Sequence, residues 1–408
     1  MKVIHLAMSA QGGAGIAASR SVRALRAEGL EAQLWTAHES ALGPAVRKAG
    51  SSWLRPRIDT LPTRMYPRRQ VFSAWSNNWQ PSSLSSQINA QKPDVVNLHW
   101  IAGGFFSLRE LSHFEAPVVW TLHDPWILTG GCHYPDQCRR FTGECGRCPQ
   151  LGSERSHDLS WFNLRSKRRS LNSVDAFVTP SSWLAELSRS SGSLDVAKLH
   201  TIPYGLDGTV YRMGSIQASR RALDLPTEAV VIVAGAQHLG EKRKGCHFLG
   251  EAVGQIMREV RRPLIMLLFG SSDGSSLDRW DCEVRRMGTL TDEAQVAQLY
   301  NAADLLLLPS LQDNLPNVAL EAQACGCPVV GFDTGGLREI IESGVTGAVT
   351  EDVSAAGLAV AALDWLRAHP ERTRVAQDCR DRFERLFTYP LHARRMRQLY
   401  EHVTVADR

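Results

Sequence analysis

Two carboxylates eight residues apart, Asp313 and Glu321, give the strongest chemical signal in the sequence. Asp313 follows an apolar strand, and Glu321 lies just over one turn into the next predicted helix. A loop that leads into a helix points several unbonded N–H groups at one spot, and that spot favours phosphate. A carboxylate further along the helix can accept two ribose hydroxyls. The spacing alone leaves open that Asp313 caps the helix and that Glu321 is a buried or paired helix residue.

A basic loop forms the second candidate site. Residues 234–245 follow an apolar strand and carry the run Lys242-Arg243-Lys244 before Gly245. Two cations beside a pyrophosphate would stabilise its departing charge without a metal ion. The alternative is a basic turn that is only solvated.

Two further candidates lie in the first half of the chain. Gly12 and Gly13 belong to a glycine-rich turn, residues 9–15, after the first apolar strand, where a backbone can approach a ligand closely. His123 ends the apolar run 118–123, at a strand end where ligands of α/β sheets bind. His99-Trp100, at another strand end, is a weaker candidate. Any Rossmann-type turn needs glycine, and a strand-end histidine is often only structural.

Four cysteines within 17 residues indicate a metal site. Cys132, Cys138, Cys145 and Cys148 end in a Cys-x2-Cys-Pro sequence within a loop. Four thiolates would bind Zn²⁺ tetrahedrally and leave no open position, so a structural zinc is predicted. An iron–sulfur cluster, labile disulfides and unbound thiols remain alternatives.

The elements that must position these residues alternate between strand and helix. Strands are predicted at 3–8, 32–36, 94–99, 118–123 and 176–179, and again at 230–234, 264–269, 305–308 and 329–332. This alternation predicts parallel sheets covered on both faces, in two Rossmann-like, doubly wound domains. We expect an N-terminal domain at 1–195, a C-terminal domain at 196–388, and a helix at 389–408 that packs back on the N-terminal domain.

Charge and hydropathy limit the classes of partner. The chain of 408 residues has a net charge of +4, but residues 1–200 carry eight more basic than acidic residues. The basic patches are Arg55/Arg57/Arg64/Arg68/Arg69 and Arg165/Lys167/Arg168/Arg169. They predict either ordinary solvated surface or peripheral contact with an anionic membrane or acceptor. No nucleic-acid motif, signal peptide or membrane-spanning run accompanies them, which favours a cytoplasmic location.

The segment 309–330 resembles the signature of the retaining glycosyltransferases of family 4, which have the GT-B fold. That signature is an acidic residue, seven residues, a glutamate, an Ala/Gly-rich turn and Pro-Val-Val. Supporting matches are Ile202-Pro-Tyr-Gly-Leu-Asp207, with Tyr204 in place of the usual asparagine, and Gly335-Gly-Leu-Arg-Glu339. The run of Thr-Leu-His-Asp, Thr-Gly and cysteines is similar to the colanic-acid-type transferases.

The resemblance implies two domains facing a central cleft, and it implies roles for the candidate residues. Glu321 would bind the donor ribose, Asp313 and His123 would contact the donor sugar, and the N–H groups of Asn314 and Leu315 would bind phosphates. Gly12 and Gly13 would face the donor diphosphate. Lys244 matches the family's lysine, and Arg243 would replace an earlier arginine that is absent here.

The implied activity is transfer of a hexosyl-type sugar from a nucleotide-diphosphate sugar to a glycan or lipid-linked acceptor. It would proceed with retention of configuration and without a catalytic metal, in the biosynthesis of a surface polysaccharide. Two alternatives remain: a nucleotide-sugar epimerase of the same fold, and a non-catalytic protein that binds sugar nucleotides.

Overall fold

A computed structural model describes residues 1–37, 45–50, 54–70, 74–271 and 280–406, and it divides the chain into two units. The N-terminal unit comprises Met1–Gly205 and Tyr389–Arg408, and the C-terminal unit comprises Leu206–Thr388. The sequence placed the first boundary at residue 195. The structure places it after Gly205, because Leu199–Thr201 forms a further strand of the N-terminal sheet.

The N-terminal unit is built on a parallel sheet. The strands in its described part are β1 (Lys2–Ala7), β2 (Glu31–Thr36), β3 (Val46–Lys48), β4 (Val95–Leu98), β5 (Val118–Thr121), β6 (Ala176–Thr179) and β7 (Leu199–Thr201). Their order in the sheet is β3-β2-β1-β4-β5-β6-β7. The helices are α1 (Gly12–Ala27), α2 (Arg55–Thr60), α3 (Leu84–Asn89), α4 (Leu159–Ser170), α5 (Ser182–Ser191) and α13 (Tyr389–Ala406).

Both faces of this sheet are covered. Successive residues of β1 point to opposite faces, so Val3 packs with Met396 of α13, whereas Ile4 packs in a second cluster with Phe177. Burial on both faces explains why the central strands are almost uninterrupted apolar runs.

The C-terminal unit repeats this architecture. The strands in its described part are β8 (Val230–His238), β9 (Leu264–Ser271), β10 (Glu283–Gly288), β11 (Leu305–Leu308), β12 (Val329–Phe332) and β13 (Gly347–Thr350). They form a parallel sheet of order β10-β9-β8-β11-β12-β13. The helices are α6 (Ile216–Ala222), α7 (Leu249–Glu259), α8 (Glu293–Ala302), α9 (Asn317–Ala324), α10 (Leu337–Ile340), α11 (Ala355–Ala368) and α12 (Thr373–Leu386).

The predicted pair of parallel α/β domains is therefore confirmed, with differences at the sheet edges. The edge strand β10 was not predicted, because its sequence is polar and its residues are only partly buried. Such a strand lacks the apolar run that marks a central one. None of the described helices is long and apolar enough to cross a membrane.

Candidate active site

The loop between β11 and α9 carries Asp313, and glycines hold two other loops against it. Gly245 has φ +67°, and a Cβ there would collide with the carbonyl oxygen of Pro309. Gly335 has φ +61°, and a Cβ there would collide with the carbonyl oxygen of Asp313 itself. Only glycine combines this backbone conformation with so close an approach. The sequence therefore fixes three loops into one cluster at the carboxyl edge of the sheet.

Asp313 is a buried carboxylate held by two cations. Lys244 Nζ lies 2.5 Å from Asp313 Oδ2, and Arg243 Nη1 lies 3.6 Å from Asp313 Oδ1. Arg243 also donates to the carbonyl of Gln312 at 2.9 Å and pairs with Glu241. Burial by itself would raise the pKa of Asp313, but the neighbouring Lys244 and Arg243 outweigh it and lower that pKa. Asp313 is thus ionised, and the two predicted phosphate-binding cations are beside it.

The predicted phosphate-binding amides lie in the same loop. The N–H of Asn314 donates to Asp313 Oδ1 at 3.1 Å, so a phosphate would compete with that carboxylate for it. Leu315 is buried two residues before α9 begins at Asn317. Two buried polar atoms of this loop, Ser310 Oγ and Gln312 Oε1, have no hydrogen-bond partner among the described residues. Buried polar atoms are normally paired, so these two are exceptions within the loop that carries Asp313.

Glu321 lies in α9, where its side chain is positioned by a buried tyrosine. Tyr300 Oη donates to Glu321 Oε2 at 3.1 Å, and Glu321 is only 6% exposed. Burial raises the pKa of Tyr300 well above its ordinary value, and the charge of Glu321 raises it further. Tyr300 therefore stays protonated and acts as a donor that orients the carboxylate.

The two glycines predicted in the N-terminal turn lie instead in the first turn of α1. The structure begins this helix at Gly12, which itself has φ +77°, and Gly13 follows within the first turn. The close approach is made at Gly15, where a Cβ would collide with the carbonyl oxygen of Ser9. The turn after β1 therefore presents a helix start, which is a favourable place for an anion.

His123 follows β5, and the protein engages both of its ring nitrogens. Its Nδ1 lies 2.6 Å from Tyr204 Oη, and its Nε2 lies 2.9 Å from His99 Nδ1. Burial lowers the pKa of His123 to about 4, against the opposing charge of Asp124. His123 is therefore a neutral imidazole at neutral pH. His99 belongs to the same hydrogen-bonded chain, while Trp100 donates to Asp124 at 2.8 Å.

The structure gives no support to the predicted zinc site. Cys132, Cys138, Cys145 and Cys148 are free thiols. Burial raises the pKa of Cys145 to about 12 and that of Cys148 to about 11, and neighbouring thiols add to both shifts. Thiols with such pKa values are protonated at neutral pH. Within the described ranges, no group of three or more His, Cys, Asp or Glu side chains is arranged to hold a metal ion.

The second predicted basic patch is only partly at the surface. Lys167 is 1% exposed, and its Nζ donates to the carbonyls of Trp126 and Thr129 at 2.6 and 3.1 Å. Arg168 donates to the carbonyl of Gly143 at 2.7 Å. These two residues fix the loop structure, because buried carbonyls need donors. The patch therefore reduces to Arg165 and Arg169.

Sequence reasoning missed the residues that orient the candidates. Tyr300, which holds Glu321, and Tyr204, which bonds His123, carried no motif signal as ligand-binding groups. Ser310 and Gln312 lie within the signature segment 309–330. Their closeness to Asp313 in the sequence was the one feature that could have marked them as site residues.

Comparisons with known proteins identify the family of the chain. Residues 12–205 match the family described as glycosyl transferase 4-like domain, and residues 228–368 match glycosyl transferases group 1. A D-inositol 3-phosphate glycosyltransferase of Nocardia farcinica is 26% identical over 377 residues, which cover 84% of this chain and 76% of that protein. WcaC of Escherichia coli K12, named as a colanic acid biosynthesis glycosyl transferase, is 22% identical over 285 residues. That match covers 64% of this chain and 65% of the relative, slightly less than two thirds of its length.

The fold is also similar to that of a solved structure. Anabaena Alr3699/HepE, solved in complex with UDP, superimposes with a TM-score of 0.68 at 18% identity, over 98% of this chain and 100% of that chain. The two family matches together span most of the sequence, and each falls on one of the two α/β units. The chain thus belongs to the group 1, family 4 glycosyltransferases of the GT-B fold.

Proposed function

We propose that the protein transfers a hexosyl-type sugar from a nucleotide-diphosphate donor to a glycan or lipid-linked acceptor, with retention of configuration and without a catalytic metal. The observation that carries this proposal is the cluster in which Lys244 and Arg243 surround Asp313. A diphosphate carries more negative charge than one carboxylate, so it can share both cations with Asp313. Those cations then stabilise the charge that develops on the departing diphosphate.

The remaining candidates act around that diphosphate in the proposal. Glu321, oriented by Tyr300, accepts the ribose hydroxyls, and the N–H groups of Asn314 and Leu315 donate to phosphate. Asp313 and His123 contact the sugar that is transferred, and Gly12 and Gly13 present helix-start amides to anionic oxygen. The departing diphosphate itself accepts the proton of the acceptor hydroxyl, so no side chain is assigned as a base.

Thermal unfolding with a panel of nucleotide diphosphates and their sugars tests the donor site. A ligand at one hundred times its dissociation constant adds about 2.7 kcal/mol. That corresponds to a shift in Tm of roughly 5–10 °C for a domain of this size. We expect one nucleotide to stabilise the wild type and Glu321→Gln to lose most of that shift. Glu251→Gln, an exposed glutamate of α7 in the same unit, is the matched control and keeps it.

Product analysis with the stabilising donor distinguishes the alternatives. Transfer to a saccharide or lipid acceptor with an unchanged anomeric configuration supports the proposal. Isomerisation of the donor without an acceptor would identify an epimerase, and binding without turnover against a broad acceptor panel would identify a non-catalytic protein. The similarity to WcaC favours acceptors from surface polysaccharide pathways.

We also propose that the N-terminal unit contacts an anionic membrane through an apolar stripe beside α2. The stripe is formed by Leu54, Ile58, Leu61 and Met65, which are 41%, 47%, 46% and 73% exposed. Their spacing places them on one side of α2 and of the 3-10 turn Leu61–Met65.

Exposed arginines surround this stripe. Arg57 and Arg64 are exposed on the same short segment, and Arg64 has no partner among the described residues. The backbone of residues 80–81 lies against α2, because Arg55 donates to both carbonyls. The adjacent Trp79 is 45% exposed and, with Phe162, Arg109, Arg165 and Arg169, lines an open groove of about 530 Å³. Apolar side chains among arginines are typical of surfaces that lie on anionic lipid.

Co-sedimentation with phosphatidylglycerol and phosphatidylcholine vesicles tests this contact. We expect binding to the anionic vesicles, weakened by salt and by Met65→Ser. Val405→Ser is the matched control, since Val405 is also 73% exposed but lies on α13. Equal binding to both lipids, or equal losses in the two variants, would contradict the proposed surface.

A further inference from the structure

A chain of three imidazoles and one phenol runs through the N-terminal unit. His5 Nδ1 lies 2.8 Å from His99 Nε2, His99 Nδ1 lies 2.9 Å from His123 Nε2, and His123 Nδ1 lies 2.6 Å from Tyr204 Oη. The four side chains are at most 8% exposed. Neighbouring rings are stacked, with centroids 5.1–5.5 Å apart.

The sheet order brings these residues together. His5 is in β1, His99 directly follows β4, and His123 follows β5, and these three strands are neighbours in the sheet. Tyr204 follows β7, and α13 fixes its backbone on both sides. His392 of α13 contacts the carbonyl of Pro203 at 2.8 Å, and a Cβ at Gly205 would lie 2.6 Å from His392 Cβ.

Each imidazole of the chain carries one proton at neutral pH. Burial lowers the pKa of His5 to about 3, that of His123 to about 4, and that of His99 well below its ordinary value. A neutral imidazole has one N–H and one acceptor nitrogen. Since both nitrogens of His99 and of His123 are engaged, all bonds of the chain must point in the same direction. The tautomers of the three histidines are therefore set together.

The His5 end of this series of hydrogen bonds determines the direction in which they point. His5 Nε2 is buried without a hydrogen-bond partner among the described residues. Unpaired buried N–H groups are rarer in proteins than unpaired acceptors. The favoured arrangement therefore leaves His5 Nε2 unprotonated, and His5 Nδ1 donates to His99. His99 Nδ1 then donates to His123, and His123 Nδ1 donates to the oxygen of Tyr204.

We infer that His5, His99 and Tyr204 are positioning residues that hold His123 as the Nδ1–H tautomer. This inference rests on the proposed action of His123 on the transferred sugar, and it specifies that action. In this tautomer His123 donates its Nδ1–H to Tyr204 Oη and accepts from His99 at Nε2, so it meets the sugar as a neutral imidazole and does not act as a base.

Nitrogen-15 NMR of histidine-labelled protein at pH 7 tests the tautomer directly, whether or not the protein transfers sugar. Protonated and unprotonated ring nitrogens differ widely in chemical shift, and the spectrum of His123→Gln assigns the His123 signals. We expect Nδ1 of His123, His99 and His5 to be protonated and all three Nε2 atoms to be unprotonated. A protonated Nε2 on His123 overturns the inference.

A pair of tyrosine variants tests whether the chain acts as one unit. Tyr204→Phe removes the terminal hydroxyl, and we expect the signals of His99 and His5 to shift together with those of His123. Tyr400→Phe is the control, because its hydroxyl is also buried but accepts from Asn97 at 2.6 Å and does not belong to the histidine chain. Signals of His99 and His5 that do not change in Tyr204→Phe overturn the shared direction.

Kinetics separate positioning from a purely structural role. In Tyr204→Phe we expect kcat to fall about two- to tenfold, the range for one neutral hydrogen bond, with unchanged nucleotide affinity. Tyr400→Phe keeps its kcat. An unchanged kcat in Tyr204→Phe overturns the positioning role. An absence of transfer in the wild type contradicts the proposed function instead, and the NMR result is still decisive for the tautomer.

Discussion

The ion pair between Lys244 and Asp313 should stabilise the fold. We expect its loss to lower the free energy of unfolding at neutral pH. Lys244→Ala leaves the buried Asp313 carboxylate with Arg243 at 3.6 Å and the N–H of Asn314 as its remaining partners. Removing one partner of a fully buried pair costs about 3–5 kcal/mol. Because Arg243 still neutralises part of the charge, and the two side chains are 21% and 13% exposed, we expect about 2 kcal/mol.

The loss of stability in Lys244→Ala should vanish at low pH, and this pH dependence follows from the pKa of Asp313. The folded protein lowers that pKa, so the carboxylate stabilises the fold above its unfolded pKa of about 4. This stabilisation is lost as the pH falls through the folded pKa. In Lys244→Ala the folded pKa of Asp313 should rise, so the difference from wild type should shrink below about pH 4.

Thermal unfolding of a double-mutant cycle measures the pair. We expect Lys244→Ala to lower Tm by about 4–8 °C at pH 7. Adding Asp313→Asn should restore part of this loss, because no buried charge is then left unpaired. The exposed pair Arg397–Glu401, each side chain 52% exposed, serves as the control and should couple by less than about 0.5 kcal/mol. Equal coupling in the two pairs, or a loss that is independent of pH, would refute the reasoning.

Further variants test other parts of the two units. His123→Ala should lower kcat more than nucleotide affinity, measured by transfer kinetics and calorimetry, and a parallel loss of both would indicate a structural role. Gly335→Ala should weaken donor binding at least tenfold, since its Cβ collides with the Asp313 carbonyl. Gly344→Ala is the control, because Gly344 also has a positive φ, +84°, but a Cβ there has no atom within 4 Å. It should leave donor affinity unchanged. Burial lowers the pKa of Lys167 to about 7, so the wild type should gain stability over Lys167→Met by about 1 kcal/mol per pH unit between pH 7 and 10. A pH-independent difference in Tm would contradict that pKa.

Much of the fold could be predicted because it follows from local patterns. Apolar runs such as 305–308 and 329–332 match β11 and β12, since strands of a parallel sheet are buried on both faces. The polar edge strand β10 carried no such pattern. The four cysteines have metal-site spacing, yet spacing does not specify the arrangement of the thiols, and the described residues give the zinc prediction no support.

The sequence by itself determined the signature that contains Asp313 and Glu321, because a loop and the helix that follows it are local in the chain. Only the tertiary structure decided which side chains meet them. Lys244 and Asp313 are 69 residues apart, and His5 and His99 are 94 apart. Parallel strands join residues distant in sequence at one edge of a sheet, and strand order, unlike strand position, is set by packing of the whole unit. Burial in the N-terminal unit makes the histidines neutral, whereas in the C-terminal unit Lys244 and Arg243 outweigh burial and keep Asp313 charged.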